Sequence, residues 1–463
     1  MPAFDDRYGV PTVAANAAAV AHLDAAIDEF LRFGVKGGDH LGAALTADAD
    51  MVLAHFLKAY FMRLGNDPAL FLIGRDAMYR GQHLMLQGGG GSRERHHAAA
   101  ARAWYSGNWS EAVHHWQAAV TENPRDILAL WVSQLVLFFQ GEDKVMCADT
   151  ARVQPHWKEW EPGADYVQAM HAFALEETND FARAEALGRK AVERNPLGVW
   201  GVHAVAHVLE ANSRLKEGVA WLKGLEPHWS PCGNFAYHMW WHRALYHVEL
   251  EEYPTVLDLY DRGVRPVPSM DYMDISNAAA LLWRLKSRGV DVGRRFDELS
   301  EKCVIKKDDH LLPFSQAHFA LTLASTGRRE ALASMVESCR IVAQGTSSVA
   351  RATKAAVLPV AEAAAKQVAG DFTGAVATLM PVRAAMVRIG GSHAQRDVFA
   401  QWLIDCAFRA GDFKTARALL SERTAAHPGS PSAWKRLAEA ARALGDSKAA
   451  GEAEAKARQL LAA

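Results

Sequence analysis

A short turn, written four times, limits what this chain can fold into more than any other feature. GNWSEAVHHWQAAVTENP (107–124), NDFARAEALGRKAVERNP (179–196), GDFTGAVATLMP (370–381) and GDFKTARALLSERTAAHPGSP (411–431) are variants of one unit. Each opens on Gly or Asn, then Asn or Asp, then an aromatic. Small residues follow at helical spacing, and a proline ends the unit. This is the pattern of the second helix of a tetratricopeptide repeat, in which small residues let paired helices approach closely. First-half helices are expected near 94–106, 125–140, 164–178, 198–212, 233–250, 271–288, 310–326, 350–369, 393–410 and 430–444. The fold class read from this is all-α: a tetratricopeptide-repeat-like solenoid, a superhelix of about ten helix pairs. Residues 1–91 are read as a helical N-terminal cap and 92–463 as the repeat superhelix. Three helices are expected in the cap, one ending at Gly34, one with Thr46 as N-cap, and one entered through Asp67–Pro68. QGGGGS (87–92) is read as a loop.

Half of the residues are hydrophobic, and the formal net charge is −2. That balance gives no general affinity for nucleic acid or anionic membranes, so neither is expected as a partner. The most apolar run, ILALWVSQLVLFF (127–139), is too short to span a bilayer and reads as a buried helix. Five scattered cysteines without a CxxC pair point to reduced thiols and a cytoplasmic location.

The chemistry concentrates between Asn195 and Glu249. His203, His207 and Glu210 share one stripe of a helix, and His238, His242 and Glu249 share another. The two histidine pairs are offset by 35 residues, position for position, against a repeat period of about 34. Stacked repeats would turn four imidazoles and a carboxylate toward one wall. Asn277 lies a further 35 residues after His242 and continues the series, with Asp274 beside it.

HAVAHVLE (203–210), FAYHMWWHRALYHVELEEY (235–253), YMDISNAAALLWRL (272–285) and IGGSHAQRDVF (389–399) resemble the tetratricopeptide repeat protein 38 family. The resemblance runs from about Ala47 to the last repeat. It implies a closed-up superhelix of repeats and no settled reaction.

Three readings of the wall stand side by side. The histidines are packing residues, or acid/base and ligand groups without metal, or ligands of a divalent ion such as Zn²⁺. The zincin motif is absent, because position 204 is Ala. Under the catalytic reading His203, His207, Glu210, His238 and His242 carry the reaction, of hydrolase or lyase type. Trp241, Asp274, Asn277, His393, Arg396 and Asp397 then line the substrate. His203, His207, His238 and His242 are the metal ligands if there is a metal. Arg396, at the start of a helix capped by Ser392 and Gln395, is expected to face the wall and hold an anionic group. Trp241 is expected to border the pocket. Cys232, before the His238 helix, is a weaker nucleophile candidate. The doublets His96–His97 and His114–His115 are expected at the surface.

Two functions remain. One is a small-molecule binder or enzyme with a His/Glu/Arg-lined site in the concave face. The other is a protein-interaction scaffold that binds peptides without catalysis. No phosphate loop, dinucleotide motif or serine elbow is present. The oligomeric state is left open, homo-oligomer included.

Overall fold

The computed structural model describes residues 2–462. Among these, twelve consecutive helix pairs account for almost all regular structure, and ten of them follow Ser92. The fold is the all-α, tetratricopeptide-like solenoid expected.

The repeated turn has a specific physical job. Gly107, Asn179, Gly370 and Gly411 all take left-handed φ values, between +66° and +84°. Their N–H groups, and that of the residue after each, bond back to carbonyls three and five residues earlier, as in Gly107 to Trp104 and Asn108 to Ala103. That is a Schellman close of the first helix. The next side chain then opens the second helix. Asn108, Asp180, Asp371 and Asp412 accept from the N–H of Glu111, Arg183, Gly374 and Thr415. Two residues therefore satisfy the orphan groups of two helices at once. Small residues allow the close approach. A Cβ on Gly188 would sit 2.8 Å from Val205, and one on Gly218 would sit 2.3 Å from the Tyr246 ring.

The N-terminal region departs from expectation. It has four helices, Ala17–Leu31, Gly37–Ala47, Val52–Leu64 and Pro68–Leu86. Thr46 lies inside the second of these and caps nothing, while Asp67 caps the fourth as read. The first helix ends at Leu31, and Phe33, not Gly34, takes the left-handed turn. A two-stranded antiparallel hairpin, Ala3–Asp5 with Pro11–Val13, precedes them. Three-residue strands carry too little alternation to be read from sequence.

The segment Phe372–Ile389 has mean hydropathy 1.2, enough by length and composition for a membrane span. It is broken by Pro381 and carries Arg383 and Arg388, changing there from α to 3₁₀ geometry.

By contacts the described chain forms two compact units. The first comprises residues up to Val205 with 225–236 and 346–349. The second comprises 206–224, 237–345 and the residues from Ala350 onward. The first has an aromatic core built from Phe33, Trp131, Phe173, Trp200 and Phe235. The second has a mainly aliphatic core that runs through Leu281, Leu321, Val360 and Leu403.

Candidate functional site

The boundary between the units falls inside the helix Val199–Ala211, so its two histidines belong to different units. His203 is buried in the first, its ring stacked on Phe173 at 5.3 Å and edge-on to Phe235. His207 belongs to the second, with His238 and His242 from the helix Phe235–Glu249. There the His207 and His242 rings lie 4.5 Å apart, and one nitrogen from each of His207, His238 and His242 falls within 4.8 Å of the others. Three of the four expected histidines thus meet inside one unit.

A chain of hydrogen bonds fixes which nitrogen of each ring carries a proton. It starts at the capped end of the helix His393–Arg409, where the Ser392 backbone N–H donates to Gln395 Oε1 at 3.0 Å. A backbone N–H can only donate, so the Gln395 amide is oriented and its Nε2 donates to Asn277 Oδ1 at 3.1 Å. Asn277 Nδ2 then donates to His238 Nδ1 at 3.0 Å. The His238 proton must sit on Nε2, which donates to His242 Nε2 at 3.1 Å. The neutral His242 ring keeps its proton on Nδ1 and donates to Glu210 Oε2 at 3.3 Å. Gln395, read as a cap alone, both caps its helix and orders the histidines.

Burial favours the neutral forms throughout. It pushes His238 and His207 well below the usual imidazole range, helped by the other imidazoles. The charges of His393 and Arg396 also lower His207. Burial holds His242 down at about 3, with Arg284 adding to the effect. It raises Glu210 to about 8, against the opposing pull of Arg284.

The metal reading meets this proton order. A cation shared by His238 and His242 needs a lone pair on both facing Nε2 atoms. The relay puts a proton on one of them, and reversing it sets the Gln395 amide N–H₂ against the Ser392 N–H. The relay gives His238 and His242 a hydrogen-bonding role without an ion.

The remaining expected residues divide. Asn277 is in the site. Asp274 is buried and accepts from Ser269 Oγ at 2.5 Å, with its carboxyl raised to about 7 by burial and Asp271. Trp241 is fully buried, stacked on His238 at 5.4 Å, and its indole N–H has no acceptor. His393 is exposed, and the half-buried Arg396 donates to the Gly391 carbonyl. Asp397 accepts from Gln401 Nε2 at 2.6 Å and forms a two-point ion pair with Arg423, which, with the charge of Arg284, holds it well below the usual carboxylate range against the cost of burial. Glu249 is bound by Arg288 at 2.7 Å and by the hydroxyls of Ser430 and Ser432.

The surroundings of Cys232 disfavour the thiolate a nucleophile needs. Its thiol donates to the Arg32 carbonyl at 3.3 Å, and burial pushes it up to about 11. His97 is fully buried, not at the surface as expected, and contacts Tyr60 Oη and Asp126.

Sequence reading missed Arg284. It stands two helical turns after Asn277 on the helix Tyr272–Ser287 and is 3% exposed. One turn beyond it Arg288 borders a cavity of about 240 Å³, with Arg423, Gln401, Glu251, Lys435 and Arg436 among its walls. Only an arginine inside the apolar run LLWRL gave any hint of Arg284.

A tetratricopeptide repeat model matches residues 398–440. The chain is similar to human IFIT1, solved as a dimer with PPP-AAAA, at 12% identity over 89% of this chain and 91% of that one, with TM-score 0.41. It is also similar to the tetratricopeptide domain of P58(IPK), at 16% identity over 80% of this chain and 98% of that one (TM-score 0.22). A third similarity is to Naa15/Naa10 bound to HypK-THB, at 10% identity over 96% of this chain and 70% of that one (TM-score 0.26). The helix pairs closed by Gly–Asp and Asn–Asp turns give the chain a tetratricopeptide-like solenoid fold, and the match at 398–440 identifies a tetratricopeptide repeat within it.

Proposed function

We propose that the protein is a binding scaffold of the tetratricopeptide type, without catalysis. The observation that carries this reading is the proton order of the histidine relay. His238 and His242 are buried and neutral, and both ring nitrogens of each are engaged by neighbouring side chains. A general base needs a free lone pair within reach of its substrate, and these rings offer none. The enzyme reading is therefore set aside in favour of binding.

The partner surface in this proposal is the charged cavity of the second unit, where Arg436, Lys435, Glu251 and Glu439 line a concave wall. Its mixed charges suit a polar peptide. A nucleic-acid partner is not proposed, although IFIT1 was solved with PPP-AAAA, so the sequence-based exclusion of nucleic acid is not carried forward. Membership of the tetratricopeptide repeat protein 38 family, the cap at residues 1–91 and a cytoplasmic location belong to the same proposal.

The test compares the full chain with Arg436→Glu and His242→Ala, using peptide arrays and a panel of ester, amide and lyase substrates. Peptides retained by the wild type and lost by Arg436→Glu support the scaffold. Turnover by the wild type that His242→Ala abolishes, with helical content intact, would overturn it.

A further inference from the structure

Arg284 is the anomaly of the second unit. Its Nη1 donates to the Ala280 carbonyl at 3.2 Å and its Nη2 to the Ala394 carbonyl at 2.8 Å. Among the described residues it makes no ion pair. Two of its five N–H groups are used, and both acceptors are uncharged. A guanidinium this deeply buried ordinarily has a carboxylate against it. Burial lowers its proton affinity to about 10, and the nearby charges of Asp397 and Glu210 offset only part of that.

The neighbours that could neutralise it are otherwise engaged. Asp397 is committed to Arg423 and Glu249 to Arg288, each as an ion pair. Glu210 accepts from His242 and lies outside ion-pair distance of Arg284. Of the three guanidinium groups, Arg423 and Arg288 each hold a carboxylate, and Arg284 is the one without an ion pair among the described residues, with Glu210 as its nearby but undocked carboxyl group. The cluster is not sealed: the Glu210 side chain is 26% exposed and that of Asp397 24% exposed. The underside of the guanidinium rests 5.7 Å from the Trp241 ring, which fixes its plane.

We propose that Arg284 anchors a binding site for a small organic carboxylate inside the second unit. One guanidinium without an ion pair calls for a monoanion, and the unused N–H groups of a planar guanidinium form a fork that matches a carboxylate. A phosphate dianion would leave a net negative charge buried in the same cluster. Glu210, with its hydrogen bond from His242, stands beside the bound anion as a polar wall. The site adjoins the charged cavity, which shares Arg288 and Arg423 with this cluster but is not lined by Arg284, so Arg436→Glu and Arg284→Met test the two proposals separately.

The experiment uses the full chain, titrated calorimetrically with acetate, butyrate and benzoate, with the matching neutral amides and with inorganic phosphate. One or more carboxylates should bind saturably at one per chain. The amide of the same acid should bind at least about tenfold more weakly, the loss of one charge-assisted hydrogen-bond pair. Arg284→Met should remove carboxylate binding while circular dichroism is unchanged. Absence of saturable binding by every carboxylate, equal binding by amide or phosphate, or binding retained in Arg284→Met overturns the proposal. Should Arg284→Met fail to fold, wild-type crystals soaked in bromide give the second reading. An anomalous peak against the Arg284 guanidinium supports the site, and a map without one refutes it.

Discussion

Two arginines, each at the centre of a buried polar cluster, show how differently one residue type can be used. In the first unit Arg93 is 5% exposed and spreads its fork over two carboxylates. Its Nε and Nη2 bond to Asp126 at 3.0 Å each, and its Nη1 reaches Asp6 and Thr12 at 2.7 Å each. Asp6 in turn accepts from the N–H groups of Tyr8 and Val10, and Asp126 caps the helix Ile127–Gln140. Every strong group has a partner of the right sign, and the N-terminal hairpin is locked to the helices by that cluster. Arg284 in the second unit is equally buried, yet it holds only two backbone carbonyls. The first cluster is complete as it stands. The second has a guanidinium that makes no ion pair among the described residues, which is the contrast the proposed carboxylate site rests on.

The sharpest way to break the comparison is to remove each guanidinium in turn. Arg93→Met leaves Asp6 and Asp126, each 1% exposed in its side chain, without a cation. Removing one partner of a buried ion pair costs about 3–5 kcal/mol. Urea denaturation of the first unit should show a loss of that size, and the hairpin should become accessible to protease.

Arg284→Met is expected to move the other way. An apolar side chain of similar volume replaces a buried charge without an ion pair, so stability should hold or rise, by up to roughly 4 kcal/mol by analogy with other buried-charge replacements. The lost bonds to Ala280 and Ala394 oppose that gain. Equal destabilisation by Arg93→Met and Arg284→Met would mean that both clusters are braces.

The contrast also explains what the sequence made legible. The Gly–Asp turn specifies two helix caps through local hydrogen bonds, so ten repeat pairs could be counted before any coordinates. The offset between the histidine pairs carried His207, His238 and His242 to one place because repeat geometry is nearly periodic. Arg284 was invisible for the opposite reason. An arginine at the end of an apolar run reads as the polar edge of an amphipathic helix, and its burial depends on the His393 helix, over a hundred residues away. His97 misled for the same reason: its polar neighbours suggest a surface, while Tyr60 and Asp126 cover it.

A smaller effect tests the relay that joins the Gln395 helix to the histidines. Asn277→Leu removes the donor to His238 Nδ1 and the acceptor of Gln395 Nε2 together, leaving buried polar atoms unsatisfied. The expected cost is about 1–3 kcal/mol. Nitrogen NMR of the wild type should find His238 protonated on Nε2 and His242 on Nδ1. Zinc should give no saturable rise in Tm of the wild type. Such a rise, or the reversed tautomers, would return the histidines to the metal reading.

The smallest expected effect is in the pH profile, and it separates the histidines from Glu210. In the unfolded chain His207, His238 and His242 take up protons near pH 6.5, whereas in the fold burial keeps them neutral to much lower pH. The unfolded state binds more protons below that point, so stability falls as pH drops through about 6.5. Glu210 has the opposite sign. Its carboxyl keeps its proton up to about 8 in the fold, while the unfolded chain releases it near pH 4.3. Its contribution is complete below about pH 4.3 and is lost as pH rises through 8. Between about pH 6.5 and 8, Glu210 is the member of this cluster that titrates. Urea midpoints of the wild type should therefore decline across that window, and Glu210→Gln, neutral at every pH and able to accept from His242, should flatten the decline while leaving the acid limb in place. An unchanged slope in Glu210→Gln would mean that Glu210 is already ionised in the fold and serves as the internal counter-charge of Arg284. The second cluster would then be as complete as the first.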